Sequence, residues 1–194
     1  MGISRTSDIR TSEVGKAGNA DVTYDDMYGA VSAARVPAAN APSWENITLD
    51  GFTTQALAFD VGEYIDIFVQ TNHSMQLNQA FENHIHWTLA SDDDGDEIRF
   101  QLTGVGAGIG ESFSSIGTLD TGDIVLAGNA GKHNYLEIGE VPSLNTTVSS
   151  VYILRLQRVA VNDGNDSAEL VYILFNDSHM KIDTLGSLQE DSKV

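Results

Sequence analysis

No cysteine occurs in the 194 residues, so disulfides and thiolate chemistry are excluded and stability must come from packing, hydrogen bonds and subunit contacts. Basic residues are scarce: 10 Lys and Arg stand against 28 Asp and Glu, a formal charge of −18. Lysine is confined to Lys16, Lys132, Lys181 and Lys193. With no cluster of cations to neutralise phosphates, nucleic acid is not an expected partner. No stretch approaches the roughly 18 apolar residues of a membrane span, and the start Met1-Gly2-Ile3-Ser4-Arg5-Thr6-Ser7 has no apolar signal core. No membrane partner is expected, and synthesis in a cytoplasm is. The chain has only two tryptophans, Trp44 and Trp87, and three prolines.

What is abundant is acid. Aspartate outnumbers glutamate 18 to 10, spread from Asp8 to Asp191, which suggests a whole surface adapted to hydration. Concentrated salt screens such charge to about 3 Å at 1 M, so the composition reads as salt-adapted. The five Asn-x-Ser/Thr sequons, at Asn46, Asn72, Asn145, Asn165 and Asn176, are read as accidents of polar composition.

The length fits one domain plus an arm. Residues 1–43 are rich in small and polar types and form the expected extended arm and linker, with Val36, Pro37, Pro42 and Trp44 as assembly candidates. A short helix is expected at 24–34, with Met27, Tyr28 and Val31 on one face. Residues 44–194 form the expected β domain. Strands are expected at 47–49, 56–59, 64–71, 84–90, 97–103, 112–119, 123–126, 135–138, 148–157, 168–175 and around 179–182. Asn162-Asp163-Gly164-Asn165 is expected to turn a hairpin between the 148–157 and 168–175 strands. Many short strands with turn signals predict an all-β, jelly-roll-like sandwich.

Candidate chemistry is sparse. His84 and His86, two apart on a strand, share one face while Ile85 and Trp87 take the other. With His179, and His73 as a further candidate, they have the ligand types of a transition-metal site; the alternative is histidines packed and hydrogen-bonded within a sheet. Asp92, Asp94 and Asp96 around Gly95 offer oxygen ligands for calcium or magnesium. No acid stands at the twelfth loop position and both flanks read as strands, so a solvated hairpin tip is the alternative. Gly104-Val105-Gly106-Ala107-Gly108-Ile109-Gly110 lacks the helix and the Gly-Lys-Ser/Thr of phosphate loops and reads as a connection or irregular strand. Ser149, Ser150 and Ser187 sit in no nucleophile elbow. No catalytic residue is assigned, no enzyme is expected, and no cofactor is expected beyond a structural metal ion.

Two separated segments carry a resemblance: Asn83-His84-Ile85-His86-Trp87 and Asp177-Ser178-His179-Met180-Lys181-Ile182-Asp183-Thr184-Leu185-Gly186-Ser187-Leu188-Gln189-Glu190. Together with Ser149-Ser150-Val151-Tyr152-Ile153-Leu154-Arg155-Leu156-Gln157-Arg158 they resemble a family of virion structural proteins of tailed viruses. That family has a Pro-His-Ile-His-Trp strand and a closing Asp-x-His-x-x-x-Asp-x-Leu-Gly-Ser-x-Gln-Glu segment. Asn83 stands where the family has proline, and Asn176 and Ser178 where it prefers apolar residues. The resemblance implies a β-sandwich particle component; with the acidic composition, it implies a tailed virus of a haloarchaeon. The expected role is a capsid decoration or turret protein. A tail, collar or fibre-base component is the second reading, and a receptor- or glycan-binding module the third. Expected partners are further copies of the chain, as a trimer or secondly a pentamer, and the major capsid protein or other virion proteins.

Overall fold

In the computed structural model of the chain, residues 23–183 are described; 1–22 and 184–194, including the Leu185 to Glu190 part of the closing motif, lie outside the described residues. The strands are β1 (Thr23–Gly29), β2 (Ser43–Leu49), β3 (Phe52–Phe59), β4 (Tyr64–Gln70), β5 (Phe81–Thr88), β6 (Glu97–Ile98), β7 (Phe100–Ala107), β8 (Ser114–Asp120), β9 (Ile124–Val125), β10 (Asn134–Val141), β11 (Val151–Arg158) and β12 (Val171–Ile182). One antiparallel sheet has the order β10-β5-β12-β3-β2, with β1 also paired to β12; a second has the order β4-β11-β7-β8, and β6 and β9 form a small ribbon. The chain passes repeatedly from one sheet to the other, giving the jelly-roll-like sandwich.

Alternation explains why these runs are strands. In β4, Ile65, Ile67 and Val69 are buried, and in β11 Tyr152, Leu154 and Leu156 are, each set being every second residue on the inner face. The opposite sheet supplies Leu57, Phe59, Phe81, Ile85, Trp87, Val171 and Ile173. Aromatic pairs bridge the layers: Phe59 meets Phe100 edge-on with centroids 6.2 Å apart, and Phe81 meets Tyr152 at 5.0 Å. Each such side chain contributes about 1.5–3 kcal/mol of burial.

Three expectations change. The helix expected at 24–34 is instead β1 followed by one 3-10 turn at Val31–Ala33. A free edge of β12 takes up the segment as a strand, satisfying backbone groups that would otherwise be orphaned. Second, the 23–43 portion of the expected arm belongs to the sandwich. Met27, Val31 and Pro42 are buried, and Arg35 exchanges backbone hydrogen bonds with Asp66 of β4. Of the other assembly candidates, Pro37 is half-buried, whereas Val36 and Trp44 are exposed. Third, the strands expected to form a hairpin lie in different sheets. Strand β11 has β4 and β7 on its two edges and β12 has β5 opposite β3 and β1, so neither has an edge left for the other. Gly164 keeps its turn conformation, φ +81°, but the turn lies in a crossover between sheets.

A buried arginine holds that crossover. Arg158, fully buried, donates from Nη1 to the carbonyls of Phe59 at 2.9 Å and Glu169 at 2.7 Å, and from Nη2 to that of Ser167 at 2.7 Å. It ties the end of β11 to β3 of the other sheet and to the connection leading into β12. Burial pulls its guanidinium below the ordinary arginine value, against Asp60, Asp166, Glu63 and Asp93, which raise it.

The glycine run is strand as far as Ala107 and turn beyond it, with Gly110 at φ +80°. Gly104 and Gly106 lie in β7, where a Cβ on Gly104 would strike the carbonyl oxygen of Ile153 and one on Gly106 would come within 2.7 Å of the Tyr152 ring. Close backbone approach to β11 requires glycine at both. The expected cost of Gly106→Ala is about 1–3 kcal/mol, since the buried Tyr152 ring must move; a denaturation midpoint equal to that of the parent would show that the ring has room.

Candidate functional site

The outer face of the β10-β5-β12-β1 portion gathers most of the histidine in the chain. In β5, Ile85 and Trp87 face the core, so Glu82, His84 and His86 point outward. In β12, Met180 faces the core and Asp177 and His179 share the outer face, after a register shift between Ile173 and Phe175. Register sets the neighbours: Asp177 lies between His84 and Tyr28, and His179 between Glu82 and Asp26. From β10, Glu137 pairs with His84 and Tyr135 with His86.

His84 is the centre. Although on an outer face, its side chain is 0% exposed, covered by the Tyr135 ring at 4.8 Å and by the edge-on His179 ring at 4.2 Å between centroids. Neither of its ring nitrogens has a hydrogen-bond partner among the described residues. Instead Nδ1 faces Asp177 Oδ1 at 3.6 Å and Nε2 faces Glu82 Oε2 at 3.8 Å. Burial, and then His179, pull His84 below the ordinary histidine value; Asp177, Glu82 and Glu137 oppose this. Around it, His179 Nε2 lies 2.8 Å from Asp26 Oδ1 and 4.0 Å from Asp177 Oδ2. His86 Nε2 lies 3.3 Å from Asp177 Oδ1, and its Nδ1 lies 2.6 Å from Nε2 of His133. The same carboxylates raise the Tyr135 phenol, behind burial as the main cause.

Thus His84, His86 and His179 come together on one face. His73 does not join them; its Nε2 lies 2.9 Å from Ser149 Oγ. Among the described residues, the acid and imidazole groups close enough to share one ion are Glu82–His84–His179 and Asp26–Asp177–His179. The candidate calcium set is absent from these. Asp92 Oδ1 accepts from the Ala130 amide and Asp94 Oδ1 from that of Gly128, so these carboxylates brace the neighbouring loop. Burial, then Asp93, raises Asp96 above the usual carboxylate range. The reason is local: the turn at Gly95 points alternate acids at the β9–β10 connection instead of at a common centre.

Behind the cluster, on the inner side, sits a polar network formed by the three residues that depart from the pattern the sequence resembles. Asn83, Asn176 and Ser178 are fully buried. Asn83 Nδ2 donates to Ser178 Oγ at 3.0 Å, and Asn176 Nδ2 donates to Asn83 Oδ1 at 3.1 Å and to the His84 carbonyl at 2.9 Å. The departures satisfy one another and fix the β5–β12 register under His84.

Beside the cluster, Tyr28, His86, His133, Leu174, Phe175 and Asp177 line an open cleft of about 410 Å³. Sequence reading missed Asp26, Glu82, His133, Tyr135 and Asp177. The alternation Glu82, His84, His86 and Asp177, His179 was a usable signal for two of them; the others depend on the registers of β1 and β10.

No family model matches the chain, and no curated protein matches it. Among solved structures, a carbohydrate-binding module in complex with β-1,4-galactotriose is similar over 81% of this chain and 88% of that one, at 11% identity and a TM-score of 0.29. A likeness at that level carries no functional argument.

Proposed function

We propose that this chain is a structural protein of a tailed-virus particle, assembling through its sandwich as a symmetric homo-oligomer, a trimer in the first instance, that decorates the capsid surface. The observation that carries this reading is a juxtaposition. The two segments that resemble the virion family, 93 residues apart at Asn83 and Asn176, are side-by-side central strands, with Asn83 opposite Ser178, His84 opposite Asp177 and His86 opposite Phe175. The described parts of these two segments therefore adjoin, while the third segment, Ser149–Arg158, lies in the opposite sheet. Exposed aromatics, among them Phe52, Phe68, Phe113 and Tyr28, supply apolar surface for contacts with further chains.

The test uses purified particles and the recombinant full chain. Mass spectrometry should find the chain in particles, and light scattering should give a trimer for the free protein. Because β1 belongs to the sandwich, the attachment test removes residues 1–22 only: this truncation is expected to keep the β fold and to lose particle binding. A chain absent from purified particles would sink the proposal. A label found on the tail or collar would move the protein to that station.

A receptor- or glycan-binding role is the third reading, favoured by the cleft, where Tyr28 and Phe175, ring centroids 5.3 Å apart, adjoin Asp177, His86 and His133. Aromatic faces beside hydrogen-bonding groups suit sugar rings. Titration calorimetry with glycans from the host surface, compared with Tyr28→Ala, decides it.

A further inference from the structure

We propose that Glu82, His84 and His179 bind one divalent transition-metal ion of the zinc class per chain, as a two-histidine, one-carboxylate site on the outer face of the β5–β12 pair. This goes beyond the particle role and does not depend on it.

Three observations carry it. The first is His84 itself. A fully buried imidazole is expected to donate one hydrogen bond and accept another, yet both nitrogens of His84 lack a hydrogen-bond partner among the described residues while aimed at groups 3.6 and 3.8 Å away. Both gaps are too long for hydrogen bonds, and the one between His84 Nε2 and Glu82 is near the spacing of two ligand atoms that each lie about 2.0–2.2 Å from a shared ion. The second is convergence: one ligand atom from each of Glu82, His84 and His179 falls within 4.8 Å of the others. The third is charge. The four carboxylates of Asp26, Glu82, Glu137 and Asp177 surround two imidazoles, an excess of negative charge whichever form the rings take. A dication offsets that excess.

The surroundings match what a histidine-bound metal needs. Metal-bound imidazoles present their second nitrogen to a carboxylate, which fixes the ring. Here Asp177 faces Nδ1 of His84, leaving Nε2 toward Glu82, and Asp26 lies 2.8 Å from Nε2 of His179. Neutral imidazole with carboxylate favours zinc, cobalt or nickel over calcium, which takes oxygen ligands. The side chains of Glu82 and His179 are 49% and 37% exposed, so an ion can enter from solvent.

The experiment uses the full chain, stripped with chelator and dialysed in high salt. Zinc is titrated by calorimetry, and cobalt is added as a spectroscopic probe. We expect one equivalent to bind, visible cobalt bands from nitrogen and oxygen ligands, and a melting temperature raised by about 5–10 °C at a zinc concentration near 100 times Kd. Because His84→Ala empties a buried site and can impair folding, the deciding variants are the accessible ones. Glu82→Gln and His179→Asn should each weaken zinc by at least tenfold while leaving the metal-free melting temperature within a few degrees of the parent. His133→Ala, outside the set, should leave zinc affinity unchanged. The proposal is overturned if the folded chain takes up no stoichiometric zinc or cobalt. It is equally overturned if Glu82→Gln and His179→Asn bind as the parent does, which would place the ion among the surface carboxylates.

Discussion

Replacing Arg158 by alanine is expected to lower stability by about 3–5 kcal/mol, which for a chain of this size is a fall of roughly 6–20 °C in melting temperature. The side chain is fully buried and serves the carbonyls of Phe59, Ser167 and Glu169 at once. Alanine leaves these acceptors without donors and opens a void between the end of β11, the end of β3 and the crossover. Arg158→Lys keeps a cation but cannot reach three carbonyls in different directions with one short-armed ammonium, so it should recover only part of the loss. Urea denaturation of the three proteins checks the order. Equal midpoints for parent and alanine variant would mean that the connection relaxes to satisfy its own carbonyls, and the clasp would be incidental.

Salt is expected to have an effect of similar size on the whole molecule. With 10 basic and 28 acidic residues, even complete pairing leaves 18 carboxylates without a cation of their own. The shortest Arg–Asp pairs among the described residues join neighbouring strands: Arg99, just before β7, reaches Asp120 of β8 at 2.6 Å, and Arg155 of β11 reaches Asp66 of β4 at 2.7 Å. The rest of the repulsion is for mobile ions to screen, over about 3 Å in 1 M salt and about 10 Å in 0.1 M. Lowering salt from molar to about 0.1 M should therefore loosen the proposed oligomer or unfold the domain. Circular dichroism and light scattering followed through that range are the measurement; curves that do not move would remove the salt-adapted reading of the composition.

The strands were readable because burial alternates along them. Runs such as Val151-Tyr152-Ile153-Leu154 show β character locally, and each of the longer expected runs overlaps a strand, although 97–103 divides between β6 and β7 and 168–175 and 179–182 are one strand, β12. Partnership was not readable. Whether β11 meets β12 depends on which edges other strands have filled, a property of the whole fold, and so a correctly placed Asp163-Gly164 turn suggested a hairpin that does not form. Tyr24 to Gly29 misled for a related reason: the spacing of Met27, Tyr28 and Val31 suits a helix, but the open edge of β12 decides. At the site, the two-residue spacing placed His84 and His86 on one face, and the resemblance pointed to His179. The carboxylate of Asp26, by contrast, reaches that face through the register of β1, which no local pattern encodes. The acidic Asp92 to Asp96 run shows the converse, a strong local pattern whose side chains are used elsewhere.

The position of β12 decides when this chain can fold. It is the last described strand, yet it lies inside its sheet, flanked by β5, β3 and β1, the last of these from the other end of the described chain. During synthesis, β5 and β3 must wait with open edges until β12 emerges, and β1 must wait for nearly the whole domain. The sheet therefore closes late and through contacts of long sequence separation, the slow regime for folding. A growing chain that presents open strands for that long is at risk of pairing with its neighbours. Dense negative charge keeps such half-made chains apart, so the acidity that burdens the finished molecule in dilute salt protects it while it is being made.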